Sequence, residues 1–253
     1  MINPGYSTRV LASANNRRSS IILALDLLNE KFAIYEKMLE KIESNICAVK
    51  MNFHILLSLD RTDIRNLNEK IHLYGLQSIA DIKLNDILAT NKITVKNLSL
   101  LKFDAVIVNP IMGLENLRSL VKYAHTFKMG VICLVQTSPF DRGIYNFRII
   151  SERKKKEKTL PLYELFLQYS IECGADGIIV GGTHKEVLKH VSTISKIPVY
   201  SPGIGVQGGD PVEALANGSK YLIVGRTILD SKDPVNESKK LKDISNSILR
   251  EDK

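Results

Sequence analysis

The feature that most constrains this 253-residue chain is a recurring unit, a short apolar run followed by helical sequence. Ile21-Ile22-Leu23-Ala24-Leu25-Asp26 is the first run, and Cys47-Ala48-Val49-Lys50 is the second. Ser78 to Lys83, Ala105 to Asn109, Val131 to Thr137, Gly177 to Gly181, Pro198 to Ser201 and Tyr221 to Gly225 complete a set of eight. Continuous rather than alternating apolar runs predict strands covered on both faces, the habit of parallel sheets. Between them, Asn29 to Ile42 carries Phe32, Tyr35, Met38 and Leu39 at helical spacing. Leu114 to Thr126 and Leu162 to Cys173 read as helices, the second stopped by Gly174. Asp210-Pro211 opens another, with Asp as N-cap and Pro at the first position. Eight strands alternating with helices predict an α/β protein, a (β/α)8 or TIM barrel. An open doubly wound sheet has the same alternation, because periodicity does not prove closure. No linker divides the chain, so residues 1–253 read as a single barrel domain. Residues 1–18, small, polar and basic, read as an N-terminal arm, and Pro139 to Lys158 as a long irregular insertion near the active face.

Polar residues at the ends of these runs are the informative ones. Ala80-Asp81-Ile82-Lys83-Leu84-Asn85-Asp86-Ile87 places ionisable residues at i, i+2 and i+5. Residues two apart on a strand share a face, so Asp81 and Lys83 project together, and Asp86 falls where a loop begins. Asp26 and Lys50 end the first two runs. In a (β/α)8 barrel all five face the C-terminal mouth, where such barrels hold their active sites. Alternating signs allow each charge a partner. A second cluster follows the seventh run, Ser201-Pro202-Gly203-Ile204-Gly205-Val206-Gln207-Gly208-Gly209-Asp210-Pro211. Its four glycines let backbone N–H groups approach an anion closely. Arg226, just after the eighth run, suits two phosphate oxygens at once. Loops after strands seven and eight commonly bind phosphate in this architecture.

Composition narrows the class. No stretch approaches the roughly 20 apolar residues of a membrane span, which predicts a cytoplasmic protein without a membrane partner. Cys47, Cys133 and Cys173 are scattered among apolar or small residues and read as reduced, buried thiols. No Cys or His spacing suggests a metal site. The net charge of +8 fits either a nucleic acid or an anionic small substrate. Much of the excess lies in Arg153 to Lys158 and in Lys239 to Lys242, and charge runs of this kind are usually solvated faces. Without Trp or interleaved aromatics, single-strand binding by stacking is disfavoured, and no nucleic-acid partner is expected. The five histidines (His54, His72, His125, His184 and His190) are scattered singly and read as structural or exposed.

Asp81-Ile82-Lys83-Leu84-Asn85-Asp86-Ile87 resembles the D-x-K-x-x-D-I signature of the orotidine 5′-phosphate decarboxylase family. Ala24-Leu25-Asp26, Val49-Lys50, the loop from Ser201 to Pro211 and Val224-Gly225-Arg226 match the same family in the same order, from about Ile21 to Leu229. The D-x-K-x-x-D element alone is shared across a superfamily of phosphosugar enzymes; the S-P-G-x-G-x-Q-G-G-D-P loop is far more specific. The resemblance implies a carboxy-lyase of pyrimidine biosynthesis, converting orotidine 5′-monophosphate to uridine 5′-monophosphate and CO2 with no metal or cofactor. It implies that Lys83 protonates C6, that Asp81 faces the substrate carboxylate, and that Asp26 and Lys50 hold the ribose hydroxyls. It implies a homodimer with shared sites, in which Asp86 and Thr90 reach the neighbouring subunit. Ser138 would contact the pyrimidine and Gln207 would bridge base and phosphate. Pro202, Gly203 and Gly208 would bind the substrate from the glycine loop, and Gly225 and Arg226 would bind the phosphate.

The sequence departs from the family pattern at three places. Met51-Asn52-Phe53-His54 stands where a Gly-aromatic-Pro run is frequent, Leu88 where Pro is usual, and Asn109-Pro110 where a His-Gly pair is frequent. No charged catalytic residue is lost, and the departures point to a divergent branch. Two other readings follow from the residues. A superfamily decarboxylase or aldolase would use Mg2+ with a Glu-bearing strand end, whereas the second run here ends in Lys50. A non-enzymatic basic barrel would bind nucleic acid in a salt-sensitive manner, and would leave five charges at strand ends without a use.

Overall fold

A computed structural model of the chain describes residues 5–26, 32–137, 148–153 and 156–251. Its strands are β1 (Ile21–Ala24), β2 (Ala48–Asn52), β3 (Gln77–Leu84), β4 (Ala105–Val108), β5 (Gly130–Gln136), β6 (Arg148–Arg153), β7 (Lys156–Pro161), β8 (Gly177–Val180), β9 (Val199–Ser201) and β10 (Tyr221–Val224). The helices are α1 (Tyr6–Arg17), α2 (Phe32–Ile42), α3 (Phe53–Ser58), α4 (Arg61–Leu73), α5 (Leu88–Leu100), α6 (Leu114–Thr126), α7 (Leu162–Cys173), α8 (Lys185–Ile194), α9 (Pro211–Ala216), α10 (Arg226–Leu229) and α11 (Pro234–Glu251). Eight parallel strands close in the order β1-β10-β9-β8-β5-β4-β3-β2. β1 pairs on both sides, Ile22 with Ala48 of β2 and Ile21 with Leu222 of β10, so the sheet has no edge. The expected (β/α)8 barrel is therefore the fold, and the open-sheet alternative falls.

Strand periodicity sorts the apolar residues into two cores. Ile22, Ile79, Ile107, Ile132, Leu134, Ile179 and Ile223 fill the barrel interior. Leu23, Val49, Val106, Val131, Val180 and Val224 pack outward beneath the helices. This two-sided burial is why the strands read as continuous apolar runs. Cys47 and Cys133 are buried and free, and burial pushes each thiol up to about 12. Cys173 is only half-buried.

The N-terminal segment departs from its reading as an arm. Tyr6–Arg17 is a helix whose Tyr6, Val10 and Ala14, four residues apart, are buried against the barrel interior. Tyr6 meets Tyr200 hydroxyl to hydroxyl at 3.5 Å, and Tyr200 packs on Tyr221 with ring centroids 4.7 Å apart. A Cβ at Gly130 would lie 2.3 Å from the Tyr6 ring, so the start of β5 admits the plug only as glycine. The stripe was too thin to read from a polar segment, because its burial partner is the N-terminal end of the barrel interior.

The described part of the insertion after β5 is regular rather than irregular. β6 and β7 form an antiparallel hairpin, Ile149 opposite Leu160, with Leu160 buried at its base. Residues 138–147 and 154–155, and with them the expected substrate contact Ser138, lie outside the described residues. Among the described residues no helix is long and apolar enough to cross a membrane.

Two aspartates brace the end of the barrel opposite the mouth. Asp104, just before β4, accepts from His72 Nε2 at 2.7 Å and Ser78 N at 2.8 Å, and pairs with Arg9 of α1 at 3.1 Å. Asp176, just before β8, bonds His125 Nε2 at 2.8 Å, Val131 N at 2.9 Å and the Ser7 hydroxyl at 3.1 Å. The Asp176 hydrogen bond raises the His125 pKa above its usual 6.5. A raised histidine stabilises the fold fully below its unfolded value, and that stabilisation is lost as pH rises through the folded value. Urea denaturation of His125→Gln should therefore show a larger deficit against wild type at pH 5.5 than at pH 8.5.

Candidate active site

The strand ends at the C-terminal mouth surround a cavity of about 460 Å3. Lys50, near the end of β2, is 5% exposed, and Asp81, on β3, is 7% exposed. Lys50 Nζ lies 2.9 Å from Asp81 Oδ2 and 3.6 Å from Asp26 Oδ1. Lys83 Nζ lies 2.8 Å from the other Asp81 oxygen. Four charges thus form one chain, Asp26–Lys50–Asp81–Lys83, with a lysine between two carboxylates and a carboxylate between two lysines. Burial pushes the Asp81 carboxyl upward, but the charges and hydrogen bonds of Lys50 and Lys83 outweigh it and hold it below its usual value.

Backbone geometry places Lys83. The pairing of β3 with β4 steps from Asp81–Ile107 to Leu84–Val108, so Ile82 and Lys83 are extra residues on β3. Lys83 takes φ 46°, left-handed backbone that a side-chain-bearing residue rarely adopts and that costs about 1–3 kcal/mol. Its side chain stays about half exposed at the mouth. Asp26 Oδ1 is buried without a hydrogen-bond partner, an acceptor open to a hydroxyl donor.

The other wall is the loop after β9. Gly203, Gly205 and Gly208 all have positive φ, and the loop folds on itself through Gly205 N to Gly209 O, Gly208 N to Gly205 O and Gly209 N to Gly203 O. Pro202, Gly203 and Gln207 line the cavity, joined by Gly225 and Arg226 after β10. Gly208 serves the turn but not the wall. Between the walls the floor is apolar, made of Ala24, Ile107, Leu134, Ile179 and Ile223. The cavity thus has a charged end, an end lined by the glycine loop and Arg226, and an apolar floor. Among the described residues no group of three or more His, Cys, Asp or Glu is placed to hold a metal ion. The Lys50 ammonium stands between the two carboxylates, Asp26 and Asp81, that converge on the mouth.

Besides Gly208, the expected residues Asp86 and Thr90 stay outside this cavity. Asp86 is exposed, its Oδ1 accepting from Ile87 N at 2.6 Å, and Thr90 is exposed on the first turn of α5. Within one chain the carboxylate that Lys83 bonds is Asp81, and Asp86 does not line the cavity. Its loop is held by Asn91, fully buried, which bonds Asp86 through N and O. Sequence reading passed over Asn52, His54 and Thr137, which also line the cavity. Asn52 caps α3 by accepting from Phe53 N at 2.7 Å. His54 Nε2 is buried without a hydrogen bond, so this histidine belongs to the site wall rather than to the surface. The signal for the pair was their place just after Lys50, in the segment that departs from the family pattern.

A closed parallel barrel whose C-terminal mouth carries a lysine–carboxylate chain facing a glycine loop and an arginine is a (β/α)8 barrel of the enzyme type, with its polar residues where such barrels hold their active sites. The model of the orotidine 5′-phosphate decarboxylase / HUMPS family matches residues 19–241, and the chain belongs to that family. An orotidine 5′-phosphate decarboxylase of Pyrococcus furiosus is 30% identical over 223 residues, covering 87% of this chain and 95% of that one. Its counterpart in Pyrococcus abyssi is 29% identical over 225 residues, covering 88% and 97%. The crystal structure of the Methanocaldococcus jannaschii orotidine 5′-monophosphate decarboxylase complexed with the inhibitor BMP superposes with a TM-score of 0.76, at 28% identity, covering 90% of this chain and 99% of that one.

Replacing Lys50 by Met keeps the length of the side chain and removes the charge. The change should cost roughly 3 kcal/mol at pH 7, because it leaves the nearly buried Asp81 carboxylate with the half-exposed Lys83 as its remaining ion pair. A depressed carboxylate stabilises the fold above its unfolded pKa, and that stabilisation is lost as pH falls through the folded value. The deficit of Lys50→Met in urea denaturation should therefore shrink below about pH 4, the ordinary range of aspartate.

Proposed function

We propose that this protein decarboxylates orotidine 5′-monophosphate to uridine 5′-monophosphate and CO2, as a cytoplasmic enzyme of pyrimidine biosynthesis that uses no metal or organic cofactor. The observation that carries the reading is the Asp26–Lys50–Asp81–Lys83 chain at one end of a cavity closed at the other by the glycine loop and Arg226. The family match and the names of the relatives support it.

In this reading the phosphate lies between Arg226, Gly225 and the 203–209 loop, and the ribose hydroxyls meet Asp26 and Lys50. The pyrimidine rests on the floor of Ile107, Leu134 and Ile179, with C6 beside Lys83. The bond from C6 to the carboxylate breaks, CO2 leaves, and the electron pair stays on C6. The Lys83 ammonium stabilises that charge and donates its proton to C6; solvent then reprotonates the amine. Asp81 fixes the ammonium before the charge develops, so little reorganisation is needed at the moment of reaction. The phosphate is remote from the breaking bond, and its binding energy can hold the reactive end in place.

The active form in this reading is a homodimer. Asp86 and Thr90 lie at an exposed edge with Ile87 (66% exposed), Ile93 (65%) and Ile111 (55%), large apolar side chains that a second subunit would cover. Asp86 and Thr90 then complete the partner's site.

Loss of orotidylate ultraviolet absorbance should be rapid with wild type, insensitive to chelator, and slower by at least about 10^3-fold with Lys83→Ala. No turnover by wild type, or full turnover by Lys83→Ala, rejects the reading. Mixing Lys83→Ala with Asp86→Ala protein, once subunit exchange is demonstrated, should recover part of the activity, since one of the two mixed sites is intact. Absence of recovery removes the cross-subunit role of Asp86.

A further inference from the structure

We infer that Thr227 is a positioning residue that latches the glycine loop to the helix start carrying Arg226. Thr227 is the second residue of α10 and follows Arg226 directly. Its hydroxyl donates to Ile204 O at 3.1 Å and accepts from Val206 N at 3.2 Å. One side chain thereby spans the turn at Gly205 and uses its donor and an acceptor lone pair together. Gly205 makes the approach possible. Its φ is 77°, and a Cβ there would lie 2.2 Å from Thr227 Oγ1 and 2.8 Å from its Cγ2.

The other hydrogen bonds of this loop are largely internal, linking Gly203, Gly205, Gly208 and Gly209 to one another. They shape a ring without fixing where it sits on the barrel. At the base of the loop, Pro202 O accepts from Gly182 N at 2.8 Å. Nearer the tip, the Thr227 hydroxyl ties Ile204 and Val206 to α10, beside Gln207 and Arg226 in the cavity wall. Thr227 therefore sets the distance between the two walls of this end of the cavity. Thr227 does not line the cavity itself, and it acts through Val206, Gln207 and Arg226, which do. The inference rests on the reading that these walls hold the substrate's phosphate.

Thr227→Val keeps the shape of the side chain and removes the hydroxyl; Thr227→Ser keeps the hydroxyl. Amide hydrogen exchange in the ligand-free protein reads the latch itself. The segment containing Val206 should exchange faster in Thr227→Val and near the wild-type rate in Thr227→Ser. Kinetics read its purpose. For Thr227→Val, kcat/KM on orotidine 5′-monophosphate should fall about 10- to 100-fold, since a small misplacement of a binding wall costs rate on that scale. It should fall by a much smaller factor on orotidine, which lacks the phosphate, and Thr227→Ser should restore most of the loss. Unchanged exchange at Val206, unchanged kinetics on the phosphorylated substrate, or equal losses on both substrates would each overturn the inference. If wild type does not turn over orotidine 5′-monophosphate, the proposed function fails by that measurement, and the exchange data still decide whether the latch exists.

Discussion

The site depends on the carboxylate of Asp81. Each of its oxygens holds one ammonium, Lys50 on one side and Lys83 on the other. Without it, Lys50 would keep only Asp26, at 3.6 Å, and Lys83 would lose its hydrogen bond. The arrangement is costly twice over. Two of the charges are nearly buried, and buried charges recover their desolvation only with close partners. Lys83 also sits in left-handed backbone, at the point where β3 carries two residues more than its neighbour β4. Such costs persist when the surrounding structure holds the conformation in place, and here the holding structure is a barrel paired on every strand edge.

The barrel spends its two ends differently. At the N-terminal end, α1 seals the interior with Tyr6, Val10 and Ala14, while Arg9 and Ser7 tie it to Asp104 and Asp176. The aspartates in turn collect strand amides and histidines from the surrounding helices. At the C-terminal end the layer of Ile107, Leu134, Ile179 and Ile223 forms the floor of the cavity. A tight, apolar lower barrel therefore supports an open, charged upper one. The strained Lys83 backbone lies at this open end, and Asp26 Oδ1 and His54 Nε2, both buried without a hydrogen bond, belong to residues that line the cavity.

Much of this was legible from residue order. The eight strands, the Gly174 stop of α7 and the Asp210 cap of α9 follow from local chemistry, and each lies where the pattern placed it. Asp81 and Lys83 were placed together by strand periodicity, and they are bonded. The misses share one cause. The α1 stripe, the Leu160 anchor of the hairpin and the cavity-lining Asn52 and His54 acquire meaning only from atoms distant in sequence. Asp86 shows the same limit from the other direction. Its motif spacing is clear, but within one chain its carboxylate turns to its own backbone.

What the sequence determined by itself is the element order, the two-sided burial of the strands and the residue types at their C-terminal ends, because these depend on neighbours within a few residues. What only the tertiary structure decided is closure, the plug, and the distances that turn five strand-end charges into a linked chain of four with one held apart. The contact between Thr227 and the glycine loop is of the same kind, joining residues about twenty apart across two strand ends. Such contacts are set by barrel curvature and register. Neither is written in any single segment, since both arise only when all eight strands pair.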